Sequence, residues 1–276
     1  MSRRSAAVLP VFVAVLAACG APPGTGSSPT PYSPTPQAEA IVYFVGDTPR
    51  GFRLYPERHL VPELTGDLAL DALRSLVDGN ERPHDPDYAS PWAGSGSSVL
   101  SLERADGTAT LDLAYGHLNV GAEAEMRAID QLLWTAAAAD PSIRRLRITV
   151  DGSAVESLAG HVDATRPFPL EPTYEVLAGV SIDVPQQGQM LEGPIVVSGE
   201  ACTFEANVAW ELYRNGTLVD QGSTAAAAAC PDRSPWSIDL GVLEAGDYEV
   251  RAFELSAEDG SLVVADSRRF AVGSSG

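Results

Sequence analysis

The fold of the first half of the chain is decided by one stretch, Thr65-Gly66-Asp67-Leu68-Ala69-Leu70-Asp71-Ala72-Leu73-Arg74-Ser75-Leu76-Val77-Asp78-Gly79. Its apolar residues recur every three or four positions, as one buried face of a helix requires. Thr65 and Asp67 can cap the start by accepting backbone hydrogen bonds, and Gly79 can adopt the left-handed conformation that ends a helix. The stretch therefore predicts a short amphipathic helix with both ends specified.

Strand patterns lie on both sides of this helix. Short apolar or alternating runs bounded by turn residues predict strands, and the Asp106-Gly107 turn predicts a hairpin. The predicted strands are residues 40–45, 52–54, 59–61, 99–104 and 110–114. A loop rich in Pro and Gly, from Asn80 to Ser98, separates the helix from the hairpin and carries Trp92.

A second helix is predicted over residues 122–139, with acidic residues at its start and Asp140-Pro141 at its end. Residues 146–150 then alternate apolar and polar, which predicts a strand. Strands, helix, hairpin, helix and strand in this order predict an α+β layer, with helices on one face of a mostly antiparallel sheet.

Four quoted stretches resemble one known family. They are Ala72-Leu73-Arg74-Ser75-Leu76-Val77-Asp78-Gly79, Asp106-Gly107-Thr108-Ala109-Thr110-Leu111-Asp112-Leu113, Leu132-Leu133-Trp134-Thr135 and Ile148-Thr149-Val150-Asp151-Gly152. Together they are similar to the GerMN domain of sporulation and spore germination proteins. The resemblance implies a GerMN-like domain over residues 40–160, although the loop from Asn80 to Ser98 has no clear family pattern.

The last hundred residues have an all-β texture. The predicted strands are residues 180–184, 195–199, 204–213, 217–220, 236–240, 246–255, 262–265 and 270–272. Their number and spacing predict an immunoglobulin-like sandwich over residues 179–273, and Gly246-Asp247-Tyr248 resembles a tyrosine corner. Residues 161–178 are expected to form a linker or an extended cover.

Two stretches at the start of this region resemble a second family. They are Pro194-Ile195-Val196-Val197-Ser198-Gly199-Glu200-Ala201 and, after it, Phe204-Glu205-Ala206-Asn207-Val208. Both look like the immunoglobulin-like domain associated with bacterial spore germination. That domain is commonly joined to GerMN, so the order of the two resemblances implies a relation to sporulation or germination proteins.

The N-terminus has the pattern of an export signal. Arg3 and Arg4 precede an uncharged run that ends in Leu16-Ala17-Ala18-Cys19, and the run is too short to span a bilayer stably. The ending resembles the bacterial lipobox, which implies that residues 1–18 are cleaved and that fatty acyl chains such as palmitate modify Cys19. The alternative is an ordinary cleaved signal in which Cys19 is incidental.

Residues 19–39 are rich in Pro, Ser, Thr and Gly and offer almost nothing to bury, so a disordered tether is predicted after the lipidated cysteine. The whole chain has a formal charge of −19, which argues against nucleic acid as a partner. The expected partners are the lipid membrane, through acylated Cys19, and an envelope protein or polymer. The expected location is outside the cytoplasm.

Two further cysteines, Cys202 and Cys230, form an even pair in a chain expected to be exported. Such a pair predicts a disulfide outside the reducing cytosol, with two buried free thiols as the alternative.

No cofactor, metal site or catalytic residue is predicted. The four histidines lie far apart in sequence without metal-ligand spacing; they are His59, His84, His117 and His161. Asp85 and Asp87 lack the further ligands of a calcium loop, and Ser95 lies outside any nucleophile motif. The chain is therefore expected to be a non-catalytic binding or assembly module.

Candidate partner contacts are Trp92 and three arginines in and just before the last strand of the first domain, Arg144, Arg145 and Arg147. A solvated strand face and a core tryptophan are the alternatives. The rival function is an envelope hydrolase with its site in the loop from Asn80 to Ser98. In that case His84, Asp85 and Asp87 would supply its acid or base.

Overall fold

Two sheets and two principal helices build the described part of the first half of the chain. A computed structural model describes residues 36–79 and 81–273. The elements of this half are β1 (Gln37–Thr48), β2 (Gly51–Pro62), α1 (Leu68–Val77), β3 (Tyr88–Ala89), β4 (Ser98–Ala105), β5 (Thr108–Ala114), α2 (Ala122–Ala139), β6 (Arg145–Val150) and β7 (Ser153–Ala154). One sheet has the order β2-β1-β3, and the other has the order β4-β5-β6-β7.

The first hairpin is longer than the sequence predicts. β1 and β2 pair over twelve residues each, from Gln37 opposite Pro62 to Thr48 opposite Gly51. The strand therefore begins inside the stretch predicted as tether, at Gln37 instead of Ala40. The extra residues at the ends of the strands are stabilised by backbone hydrogen bonds between β1 and β2, which the local apolar pattern does not predict.

One strand pair departs from the antiparallel expectation. β5 and β6 run parallel, because α2 connects them as a crossover on one side of the sheet. The α+β fold class is confirmed, and this half contains two separate sheets where the sequence predicts a single layer.

Both ends of α1 are as the sequence predicts. The Asp67 carboxylate accepts a hydrogen bond from the backbone N–H of Leu70, and Gly79 has a φ of 77°. Arg104 makes a two-pronged ion pair with Asp67, with both N···O distances at 2.8 Å, and its Nε lies 2.7 Å from Asp140 at the end of α2. One arginine thus ties the start of α1 to the end of α2.

Replacing Asp67 with Ala is expected to lower the free energy of unfolding by about 1 to 2 kcal/mol, because the helix loses its cap and Arg104 loses a partner. Urea denaturation followed by circular dichroism measures the change. Exposed Glu103 on β4 gives a matched control as Glu103→Ala. An equal loss in both variants would contradict the capping role.

The second half is a sandwich of two sheets. Its strands are β9 (Val180–Val184), β10 (Gln189–Leu191), β11 (Pro194–Ala201), β12 (Asn207–Arg214), β13 (Thr217–Ala225), β14 (Ser234–Val242), β15 (Gly246–Leu255) and β16 (Leu262–Val272). The sheets have the orders β10-β16-β15-β12-β13 and β14-β11-β9. Tyr248 donates from its hydroxyl to the Glu244 carbonyl at 2.8 Å, as a tyrosine corner requires.

A disulfide joins Cys202 and Cys230, as the even pair of cysteines predicts. Other details of the sandwich differ from the prediction. Residues 204–206 form a 3₁₀ turn in place of the start of a strand, and the two last predicted strands are one continuous strand, β16.

The connecting segment, residues 161–178, is an extended cover on the first domain. β8 (Phe168–Pro169) pairs with β6, and the helical turn α3 (Thr173–Val176) follows it. The Leu170 N–H donates to the Arg144 carbonyl at 2.9 Å, and the Ala178 N–H donates to the Leu54 carbonyl at 3.0 Å. Val176 and Leu177 are buried against β1 and β2. This cover leads directly into β9.

Buried apolar side chains of both halves belong to one contiguous cluster. Phe44 and Leu73 of the first half are members, as are Val250 and Phe270 of the second. Among the described residues, no helix is long and apolar enough to cross a membrane.

Candidate functional site

A buried ion cluster joins the two domains. We call it the junction cluster; its members are Asp85, Tyr88, Asp266 and Arg268. The Arg268 guanidinium lies 2.7 Å from Asp266 and 2.8 Å from Asp85, and it donates to the Tyr88 hydroxyl at 2.9 Å. Tyr88 donates to Asp266. Two residues of each domain are thus held in one hydrogen-bonded network.

Strand alternation places the arginine and aspartate of this network. Asp266 and Arg268 lie two residues apart on β16, on the face that also buries Val264 and Phe270. Asp266 also accepts the backbone N–H of Ile182 at 2.6 Å. The sequence predicts two separate strands on either side of these polar residues, because a charged pair on the inward face can be recognised only once its partners in the other domain are known.

A second cluster lies beside the first. We call it the histidine cluster; its members are Glu57, His59, Glu81 and His84. His59 is fully buried, and its ring nitrogens lie 2.9 Å from Glu57 Oε2 and 2.5 Å from Glu81 Oε1. The rings of His59 and His84 stack with centroids 4.0 Å apart. The fold thus brings together two histidines that lie far apart in sequence.

Backbone groups fix the Glu57 carboxylate. It accepts the N–H of His84 at 2.8 Å and the N–H of Asp85 at 2.9 Å, so the loop after residue 80 is fastened to β2. The sequence signal for this site is the alternation of Glu57 and His59 with Val61 on β2. On β2 the polar Glu57 and His59 face inward, whereas the apolar Leu60 faces outward. Hydrophobicity alone therefore does not show which face of β2 is buried.

Contacts within the histidine cluster shift the pKa values of His59 and His84. Burial opposes the charged form of His59, but its bonds to Glu57 and Glu81 outweigh this and raise its pKa to about 9. Burial and the neighbouring His59 charge together lower the pKa of His84. At neutral pH a charged His59 therefore lies under a neutral His84.

Burial also raises the pKa of Asp85 to about 6, with Arg268 acting in the opposite direction. The candidate acid of the rival hydrolase is thus a buried partner of an arginine. Asp87, by contrast, is exposed.

Of the clefts at the domain junction, two border the junction cluster. The first has a volume of about 240 Å³ and is lined by Tyr43, Glu57 and His84 from the first domain and by Asp183, Gln186 and Arg268 from the second, among others. The second, of about 630 Å³, is lined by residues that include Tyr55, Tyr88, Phe253, Leu262 and Asp266. The junction cluster contributes to the walls of both clefts.

The other predicted site residues lie elsewhere. Trp92 is fully buried and donates from its indole N–H to the Ala128 carbonyl at 2.9 Å, so its predicted role as a partner contact is wrong. Arg144 and Arg145 are exposed and Arg147 is half-buried, and their contact with a partner stays a prediction. His117 and His161 are exposed. The lipidation site, Cys19, lies outside the described residues.

Two family models match the chain, one in each of the two halves of the fold. Residues 41–156 match the family described as sporulation and spore germination. Residues 179–261 match the immunoglobulin-like domain of bacterial spore germination.

Two solved structures of one protein are similar to part of this chain. The tandem GerMN domains of the sporulation protein GerM from Bacillus subtilis are 14% identical over 52% of this chain, with a TM-score of 0.37. The chain spans half the length of that protein. The first GerMN domain of the same protein is 17% identical; the match covers 48% of this chain and 97% of that domain, with a TM-score of 0.37. No curated protein matches the chain.

Proposed function

Since this chain joins a sporulation and spore germination domain to an immunoglobulin-like domain of bacterial spore germination, we propose that it is a non-catalytic binding or assembly module of the cell envelope. Fatty acyl chains on Cys19 hold it at the outer side of the membrane. One observation carries the binding role: both domains contribute side chains to the same two clefts, which the junction cluster holds in place.

A fixed geometry favours binding, because a pre-formed surface loses less conformational entropy when a partner docks. The larger cleft combines the apolar side chains of Phe253 and Leu262 with the charged groups of Glu249 and Arg251. Apolar area with a few oriented charges is typical of recognition surfaces.

The rival hydrolase finds less support in the loop of residues 81–98. Of the three candidate residues in this loop, Asp85 is buried and already engaged by Arg268. A general base needs a free acceptor within reach of the substrate. Loss of activity on replacing Asp85 would also report a disturbed domain junction, so that substitution is a poor test of catalysis.

Photo-crosslinking in intact cells tests the binding role. A photoreactive amino acid at Leu262, which lines the larger cleft, is expected to give a covalent adduct with an envelope component. The matched control is Val242, which is 74% exposed and lines neither cleft. Equal adducts at both positions, or none at any cleft position, would argue against the proposal.

Replacing Cys19 with Ser is expected to move the protein from the membrane fraction to the soluble fraction or to leave the leader uncleaved, because the acylated thiol is the proposed anchor. Cell fractionation and mass analysis of the N-terminus measure this result. Cys202→Ser serves as the cysteine control and should leave acylation unchanged. An unmodified Cys19 in the wild-type protein would contradict the anchoring proposal, but it would not affect the proposed binding role.

A further inference from the structure

We propose that Glu57, His59 and His84 form a binding site for a divalent transition-metal ion, with Zn²⁺ as the best match. The site departs from the sequence-based expectation of no metal and goes beyond the binding role proposed above. Two imidazoles and one carboxylate are a donor set that zinc takes in proteins, whereas Ca²⁺ and Mg²⁺ prefer oxygen ligands alone.

The donor atoms are already close together. One ligand atom from each of the three residues lies within 4.8 Å of the others. Glu57 Oε2 lies 2.9 Å from His59 Nε2 and 3.9 Å from His84 Nδ1. With metal–ligand bonds of about 2.0 to 2.1 Å, neighbouring ligands of a tetrahedral ion lie about 3.3 Å apart, between these two distances.

His84 is the residue that has to adjust. Its ring now stacks on His59 at an interplanar angle of 14°, so the two rings do not yet point at a common centre. The His84 side chain is 47% exposed and borders the smaller cleft, which gives the ring room to turn. The ion replaces the proton between His59 Nε2 and Glu57 Oε2, and that proton leaves to solvent.

The surrounding shell fits a metal ligand. Glu81 Oε1 lies 2.5 Å from His59 Nδ1, and the Ser75 hydroxyl donates to the other Glu81 oxygen at 3.0 Å. A carboxylate on the distal nitrogen of a histidine orients its ring and strengthens its donor nitrogen. The backbone N–H groups of His84 and Asp85 hold the Glu57 carboxylate in the same way.

One coordination position is left toward the smaller cleft, because Glu57 and His84 both line it. Three protein ligands with an open fourth position accept water or a donor group from a bound molecule. The ion would therefore add a ligand-binding point to a cleft that both domains form.

Isothermal titration of the full chain with ZnCl₂ tests this site. The chain carries Cys19→Ser, so that an unacylated thiol cannot bind the metal, and is purified in detergent. We expect one ion per chain and a higher Tm with Zn²⁺. Co²⁺ is expected to give the visible absorption bands of a tetrahedral ion, and excess Mg²⁺ is expected not to compete.

His84→Ala is the decisive variant, because its side chain is half-exposed and its loss leaves the bonds of His59 to Glu57 and Glu81 in place. We expect zinc affinity to fall at least about tenfold, the scale of loss seen even for residues outside the first ligand set. His117→Ala, which replaces an exposed histidine elsewhere, should bind like the parent. Absence of heat with the parent chain, or equal affinity in the parent and His84→Ala, would overturn the site.

Discussion

Replacing Arg268 with Met is expected to lower the free energy of unfolding by about 3 to 5 kcal/mol. Arg268 is almost completely buried and is the cation that Asp85 and Asp266 share. Removing it leaves two almost completely buried carboxylates without their shared cation, so that one of them must protonate or the junction must open to water. That loss is a large part of the free energy of unfolding of an ordinary protein, which is about 5 to 15 kcal/mol.

Urea denaturation measures the loss, and Arg269→Met is the matched control. Arg269 is the next residue on β16, and its side chain is 67% exposed. A surface arginine of this kind contributes at most about 1 kcal/mol. Adding Asp85→Asn and Asp266→Asn to Arg268→Met should recover part of the loss, since the repelling charges are gone. Equal stability of the two single variants would show that the junction cluster does not stabilise the fold.

Replacing Trp92 with Ala is expected to cost about 3 to 5 kcal/mol, as removal of a large buried side chain does. The indole is fully enclosed, and its loss leaves a cavity and an Ala128 carbonyl without its side-chain donor. Because Trp92 belongs to the loop of residues 81–98, the loss would show that this loop is part of the core. Thermal and urea unfolding measure the change.

Tyr174 provides the comparison for this aromatic deletion. It is 47% exposed on α3, so Tyr174→Ala should change the stability much less than Trp92→Ala. Trp92→Phe should lie in between, since the ring stays while the indole N–H is lost. A Trp92→Ala protein as stable as the parent would contradict the role of Trp92 in the core.

Local signals predicted the elements that depend on local chemistry. The caps of α1, the extent of α2 and the Asp106-Gly107 turn agree with the structure, because each rests on residues close in sequence. Asn215-Gly216 forms a second turn of the same kind, between β12 and β13. Both residues of each turn have positive φ, as the hairpin turn requires.

Features that depend on distant partners were not predictable in the same way. β13 extends to Ala225 through small polar residues, because an exposed edge strand gains its backbone bonds from β12 and has little to bury. The parallel pairing of β5 with β6 depends on where α2 packs. Local periodicity reports neither of these.

The candidate site shows the same limit more sharply. Glu57, Glu81 and His84 come together only because the loop after residue 80 folds back on β2. Asp266 and Arg268 face inward because residues of the other domain neutralise them. Their spacing in sequence therefore shows nothing unusual, and hydrophobicity places them at the surface.

The cover formed by residues 161–178 has a consequence for how the protein is degraded. Proteases cut most readily at exposed loop tips where the backbone is free. Here the stretch between the domains is paired with β6, bonded at Ala178 to Leu54 and buried at Leu177. We therefore expect proteases to separate the two halves less readily than they would cut an exposed linker.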